Sequence, residues 1–137
     1  MKKFLILAFL FIFVGMASAQ FTIGVQVPIA TTDSMEVGQL TVTKYISLTG
    51  GYNTVSIQAN VTEFSGTTAG TVKLYGTIDG TNYVQIGDSL TLSDVTTVQT
   101  KIWNITPNQY AKYKIVGVGS GTMNAVLRVW YLCRKNI

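Results

Sequence analysis

Acidic side chains are the groups in this 137-residue chain with the widest capacity for chemistry, and there are six of them. Asp79, Asp88 and Asp94 suggest calcium, which takes several carboxylate and carbonyl oxygens. They occur singly, without the D-x-D-x-D spacing of a calcium loop, so we interpret them as turn residues whose carboxylates accept local backbone hydrogen bonds. The six acids are also too scattered along the chain to predict the opposed pair that glycoside hydrolysis needs.

Other reactive groups are few. The chain has no histidine, which excludes a Ser-His-Asp or Cys-His nucleophile and a histidine-ligated metal. The single cysteine, Cys133, excludes an internal disulfide and a cysteine-rich zinc site. We interpret Cys133 as an apolar residue late in a strand. The sequence therefore predicts no catalytic residues, no metal and no cofactor, and a protein that is not an enzyme.

Aromatic side chains are better candidates for a binding site. Tyr83, Tyr110 and Trp130 lie in or beside predicted strands, and Trp130 shares one face of its strand with Arg128. An exposed aromatic row can stack on sugar rings or anchor a protein interface, where Trp, Tyr and Arg are enriched. We therefore predict these four residues as a protein interface or a glycan-stacking site, and the sequence leaves both alternatives open.

The first nineteen residues have the pattern of a signal peptide. Two lysines precede an apolar stretch over residues 4–16, and Ala17 and Ala19 match the A-x-A cleavage motif. The apolar segment is shorter than the ~20 residues that span a bilayer. We predict cleavage after Ala19, export to the periplasm, the cell surface or the medium, and membrane contact only through this transient segment.

The exported chain is nearly neutral. Removing Lys2 and Lys3 leaves eight of the ten basic residues against six acidic ones, a net charge of +2. No basic run is interleaved with aromatic residues, so we predict no nucleic-acid partner. Solubility then depends on uncharged polar residues, and such a surface has little electrostatic repulsion to resist association.

Apolar and polar residues alternate with a period of two along most of the exported chain. The clearest run places Val55, Ile57, Ala59 and Val61 between polar residues. This alternation predicts strands with one face on a core and the other in solvent. In similar runs Lys44 interrupts an apolar face, whereas the rings of Trp103 and Tyr113 are predicted to pack in the core. No convincing helical period occurs after the signal peptide.

Turn signals separate the predicted strands. Asp79-Gly80 predicts a hairpin, and the glycines of 117–121 predict a last hairpin that joins strand 110–118 to strand 122–132. Short strands with tight turns are typical of antiparallel sandwiches and jelly rolls. The predicted fold class is therefore all-β, an antiparallel β-sandwich with a jelly-roll-like arrangement of about eight strands, over residues 37–137.

Residues 20–36 are predicted to form an N-terminal strand and a linker. Alternate positions of the strand are apolar: Phe21, Ile23, Val25, Val27 and Ile29. Pro28 cannot donate a ladder hydrogen bond, which suits an edge strand. The segment is either the first strand of the sandwich or a strand-exchange arm that adds to the sheet edge of a neighbouring subunit.

Two segments carry a resemblance to a known class of proteins. They are VKLYGTIDGTNYVQI at 72–86 and YKIVGVGSGT at 113–122, followed by a long closing strand. Together they resemble segments of small β-rich virion proteins of tailed bacteriophages. The resemblance implies a head-decoration, fibre-associated or other capsid-surface role, a location in the virion, and no catalytic residues.

These observations predict a non-catalytic structural or assembly protein of a virion or cell surface. Its expected partner is a second copy of the chain, in a homo-oligomer, or another structural protein. The alternative is a secreted glycan-binding module whose partner is a surface glycan.

Overall fold

The structure is a computed structural model that describes residues 22–23, 27–35, 41–120 and 122–135. The predicted signal peptide, residues 1–19, lies outside them. The described residues form ten strands: β1 (Thr22–Ile23), β2 (Val27–Met35), β3 (Thr41–Ser47), β4 (Thr54–Ser65), β5 (Ala69–Thr77), β6 (Val84–Gln85), β7 (Leu90–Leu92), β8 (Gln99–Ile105), β9 (Lys112–Ser120) and β10 (Asn124–Lys135). No helix in this part of the chain is long and apolar enough to cross a membrane.

The strands form two antiparallel sheets. In the first sheet β10 pairs with β4 and β4 with β8, while β1 and β2 pair with the other side of β10. In the second sheet β3 pairs with β9 and β9 with β5, while β6 and β7 pair with the other side of β5. Each sheet therefore has four strand positions. The predicted all-β sandwich of about eight strands is confirmed.

The core is built from the inward residues of both sheets. On β4, the four apolar residues of the alternating run are each at most 1% exposed. Burial of a Val or Ile side chain stabilises the fold by roughly 1.5–3 kcal/mol. The other strands add further buried residues: Val42, Ile46, Val72, Leu74, Trp103, Tyr113, Ile115, Leu127, Val129 and Cys133. Trp103, Tyr113 and Cys133 thus lie in the core as predicted, and burial raises the pKa of the Cys133 thiol.

The hairpin predicted at Asp79-Gly80 is confirmed. Strands β5 and β6 pair on either side of this turn. The Asp79 Oδ1 atom accepts hydrogen bonds from the backbone N–H groups of Thr81 and Asn82, each at 2.8 Å. Asp79 is therefore a turn residue, as interpreted from the sequence. Asp94 differs, because its Oδ1 atom accepts the N–H of Thr68 from another loop, at 3.0 Å.

The hairpin predicted at 117–121 is wrong. Strand β9 pairs with β3 and β5, whereas β10 lies in the other sheet. The connection therefore crosses between the sheets, close to the β4–β5 connection: Gly66 has a φ of +87°, and a Cβ there would lie 2.0 Å from the Thr122 carbonyl oxygen. Glycines between two alternating strands suit a hairpin and a crossing equally, so the local pattern could not distinguish them.

The N-terminal segment pairs with β10 of the same chain. Thr22 lies opposite Lys135, and β2 pairs from Val27 opposite Tyr131 to Met35 opposite Ala125. Residues 30–35, expected in a linker, thus continue β2. Main-chain pairing explains this difference, because it does not require apolar side chains. The segment occupies the position of a first strand of the sandwich.

Candidate functional site

The outer face of the first sheet carries three rows of side chains across β10, β4 and β8. Backbone register aligns outward residues of the three strands, and residues directly opposite on neighbouring strands have Cβ atoms about 4.5–5.5 Å apart. The rows, in the order β10, β4, β8, are Leu132, Ser56, Asn104; then Trp130, Gln58, Ile102; then Arg128, Asn60, Thr100. Alternation within each strand therefore assembles a mixed apolar and polar surface.

A groove of about 280 Å³ opens on this face. Its lining comes from all three strands: Ser56, Gln58, Ile102, Asn104, Trp130, Tyr131 and Leu132. The side chain of Ile102 is 52% exposed, and Trp130 is half-buried. The groove is slightly smaller than the ~300–1,000 Å³ typical of small-molecule sites. It presents open apolar surface beside hydroxyl and amide groups.

Hydrogen bonds orient the polar side chains of this face. The Ser56 hydroxyl donates to Asn104 Oδ1 at 2.8 Å. The Gln58 amide donates to Asn60 Oδ1 at 2.9 Å. A carboxamide has two N–H donors and a carbonyl acceptor, so each amide keeps polar capacity for a ligand. The groove lining has no group that ordinarily titrates near neutral pH. Its chemistry is hydrogen bonding and apolar contact.

The four predicted site residues separate into different regions. Trp130 lines the groove, and Arg128 is exposed one row away on the same face. Tyr83 lies in the β5–β6 turn of the second sheet. Tyr110 precedes β9 and is half-buried against the core, with its ring edge-to-face on Tyr113 at 5.8 Å between ring centres. The structure therefore brings together only Arg128 and Trp130.

Tyr83 belongs to a second group, which we call the lysine–tyrosine cluster: Tyr45, Tyr75, Tyr83 and Lys114. The Lys114 ammonium lies 4.5 Å from the centre of the Tyr83 ring and 5.1 Å from that of Tyr75. The Tyr45 and Tyr83 rings meet edge-to-face, with centres 6.4 Å apart. Contacts between a cation and ring faces at these distances are attractive.

The predicted arm residues lie partly in the described chain. Ile23 is in β1, and Val27 and Ile29 are in β2, all paired with β10. Phe21 and Val25 lie outside the described residues. Exchange of this segment between subunits stays a prediction.

Sequence reasoning missed most of the groove. Ser56, Gln58, Ile102 and Asn104 were not singled out as site residues, although alternation placed Ser56 and Gln58 on the polar face of β4. Alternation alone could not predict the groove, because the groove depends on pairing of β4 with β10 and β8, which are distant from β4 in sequence. Within the described residues, no group of three or more His, Cys, Asp or Glu could hold a metal ion.

Comparison with known proteins yields similarities of fold. A scan against protein-family models finds no match, and a search of curated proteins finds no significant match. A carbohydrate-binding module from a glycoside hydrolase family 9 protein of Ruminococcus flavefaciens FD-1 has 13% identity and a TM-score of 0.49, covering 84% of this chain and 100% of that one. A protein of the disulfide-linked pili of Bacillus endospore appendages has 12% identity and a TM-score of 0.46, covering 88% and 94%. The enzymatically active domain of a tailspike protein of bacteriophage CBA120 has 10% identity and a TM-score of 0.47, covering 85% and 19%.

Proposed function

We propose that this protein is an exported, non-catalytic β-sandwich that binds an uncharged glycan chain in the groove of the first sheet. The observation that carries the proposal is the composition of the groove: Trp130 and Ile102 expose apolar surface directly beside Gln58 and Asn104. The N-terminal signal pattern supports a role outside the cytoplasm.

A sugar ring matches this surface. A pyranose has apolar C–H bonds on its faces and hydroxyl groups around its rim. The indole of Trp130 supplies an apolar surface for such a face. The side-chain amides of Gln58 and Asn104 can form hydrogen bonds with the hydroxyl groups on the rim. The Arg128–Asn60–Thr100 row continues the polar surface past the groove and can contact the next sugar of a chain.

Glycan-array screening followed by calorimetry tests the proposal. The intact exported chain is compared with Trp130→Ala, and we expect binding to a neutral glycan that weakens roughly thirtyfold or more, the size of a central hot-spot residue. Phe64→Ala is the matched control, because Phe64 is also aromatic, 62% exposed, and outside the groove lining. Absence of binding to any neutral glycan, or equal loss in both variants, would contradict the proposal.

Assembly is a second candidate function, favoured by the position of the N-terminal segment. Strands β1 and β2 together occupy one edge of β10, and both pair with it as antiparallel strands through their main chains. A strand at a sheet edge can be supplied by a neighbouring chain with the same hydrogen bonds. In this role the protein is a component of a virion or cell surface, with a second copy or another structural protein as its partner.

Light scattering coupled to size-exclusion chromatography tests the assembly function. We expect the exported chain to form oligomers at high concentration and to lose them when residues 21–29 are deleted. A chain that is strictly monomeric both with and without residues 21–29 argues against assembly. The glycan measurements use the intact exported chain and its point variants, because the deletion removes Val27 and Pro28, which pair with Tyr131 and Trp130 of the groove.

A further inference from the structure

We infer that the lysine–tyrosine cluster on the second sheet is a separate binding site, for the carboxylated sugars of an acidic polysaccharide. The site lies on different strands from the groove, and its ligand class differs in charge. The inference goes beyond the proposed function and does not depend on it.

The outer face of the second sheet is positively charged. Lys114 lies opposite Tyr75 and Tyr45, while Lys112 and Lys73 occupy the flanking rows on β9 and β5. None of these three lysines forms an ion pair with another described residue. The strand residues of this face that the structure describes include no acid. Asp79 lies in the turn that carries Tyr83, where its carboxylate accepts hydrogen bonds from Thr77, Thr81 and Asn82. An anionic ligand would therefore meet positive charge without displacing an internal partner.

The cluster also positions its charge. Two ring faces flank the Lys114 ammonium, at 4.5 and 5.1 Å from their centres, and Lys114 is half-buried. A lysine held in this way loses less side-chain freedom when it binds an anion than a lysine extended into solvent. Its ammonium has three N–H donors, so it can keep its ring contacts while donating to a carboxylate.

Tyr45 provides an apolar surface next to that charge. Its side chain is 64% exposed, and its ring centre lies 6.4 Å from that of Tyr83. One open ring beside one fixed ammonium suits a uronic acid, which has a C–H face on the pyranose and a single carboxylate. The Tyr45 and Tyr83 rings are inclined at 66°, so they do not form the series of stacking platforms typical of single-stranded nucleic-acid sites.

Affinity electrophoresis and calorimetry with polygalacturonate test the inference, and fully methyl-esterified polygalacturonate is the matched ligand without charge. Because the groove is proposed to bind uncharged glycans, both ligands are also measured on Trp130→Ala, where the preference for the acid over the ester should persist. We expect the intact protein to bind the acid at least tenfold more tightly than the ester, with affinity falling as salt rises. Lys114→Gln and Tyr45→Ala are each expected to weaken binding to the acid at least fivefold. Phe64→Ala is expected to leave it unchanged.

Each contrary result has a definite meaning. Equal binding of acid and ester, or unchanged binding by Lys114→Gln and Tyr45→Ala, overturns the inference. Binding of oligothymidylate as tightly as polygalacturonate also overturns it and identifies a nucleic-acid surface instead. The thermal unfolding midpoint of each variant separates loss of binding from loss of fold, and Tyr45→Ala is suited to this control because its ring is mostly exposed. Neutral glycan binding in the groove is measured separately, so failure of either site is distinguishable.

Discussion

The outer faces of the two sheets have different chemistry although their strands follow the same alternation. The three rows around the groove contain amides, hydroxyls and apolar groups, with Arg128 as the one charged residue among them. The face of the second sheet combines three lysines with the tyrosines of the lysine–tyrosine cluster. The outward residues of this sandwich do not pack in its core, so the composition of one outer face can change without changing that of the other.

The inward residues show the opposite behaviour, because both sheets share one core. Leu127 of β10 is fully buried, and a Cβ placed on Gly117 of β9 would lie 3.2 Å from Leu127 Cδ2. A residue of the first sheet thus packs closely against the backbone of the second. Damage to such a contact affects both faces together, whereas a change on one outer face leaves the other intact.

Leu127→Ala is expected to have the largest effect on stability. The substitution leaves a cavity between the sheets and lowers the free energy of unfolding by about 2–5 kcal/mol. Urea denaturation measures the change, and the two faces should lose binding at the same urea concentration. Val118→Ala, at a position 43% exposed on β9, is the control and should stay within about 0.5 kcal/mol of the parent. A loss below about 1 kcal/mol for Leu127→Ala contradicts a tightly packed shared core.

Gly76→Ala is expected to destabilise the fold by overpacking the inward side of β5 in the second sheet. A Cβ at Gly76 would lie 2.6 Å from two atoms of the Tyr110 ring and 2.7 Å from Ile86 Cδ1. Relief of these overlaps requires shifts of packed side chains, which costs about 1–3 kcal/mol of unfolding free energy.

Gly51→Ala is the matched control for Gly76→Ala, because a Cβ at Gly51 meets nothing within 4 Å. Chemical denaturation measures both variants. Neutral-glycan affinity of folded Gly76→Ala should equal that of the parent, since the groove is on the other sheet. Equal stability of the two variants would show that Tyr110 is not packed on Gly76 as described.

Much of the fold was predictable from local sequence. Alternation identified the buried face of β4, and Asp79-Gly80 identified a hairpin, because both signals act over a few residues. The β9–β10 connection was not predictable in this way. Its glycines indicate that the chain turns, but the choice between a hairpin and a sheet crossing depends on which strands β10 pairs with far away in sequence.

The same limit applies to the two candidate sites. Trp130 and Tyr83 could be selected by residue type, but their neighbours could not. Gln58 and Ile102 join Trp130 through pairing across three strands, and Lys114 meets Tyr45 and Tyr75 through pairing of β3, β9 and β5. The sequence has no run of basic residues interleaved with aromatics, yet the sheet assembles such a surface from separate strands.

Asn104→Ala tests the polar part of the groove and should separate binding from stability. Asn104 is exposed and accepts a hydrogen bond from the Ser56 hydroxyl at 2.8 Å. Loss of its amide should weaken neutral-glycan binding roughly five- to tenfold, the equivalent of about one hydrogen bond. The free energy of unfolding should change by no more than about 0.5 kcal/mol. Gln109→Ala, at an exposed amide in the β8–β9 connection, is the control for calorimetry. Unchanged affinity in Asn104→Ala would place the ligand outside this groove.

The smallest expected effect concerns pH and the turn that carries Tyr83. Backbone hydrogen bonds from Thr81 and Asn82, followed by side-chain bonds from Thr77 and Asn82, hold the pKa of Asp79 well below its usual range. A carboxyl whose pKa is lower in the folded state stabilises the fold above its unfolded pKa of about 3.9, and this contribution is lost as pH falls toward the folded pKa. Acid should therefore weaken the turn beside the lysine–tyrosine cluster.

Asp79→Asn isolates that contribution. At pH 7 the variant should unfold at a slightly lower temperature than the parent, because a neutral amide oxygen accepts the turn hydrogen bonds more weakly than a carboxylate. Below about pH 4 the gap between the two unfolding midpoints should begin to narrow, because Asp79 takes up a proton in the unfolded parent, and it should keep shrinking as the pH falls toward the lowered pKa of the folded state. Thermal unfolding followed by circular dichroism between pH 7 and pH 2 measures the difference. A gap that stays constant across this range would show that the ionised Asp79 side chain does not stabilise the turn.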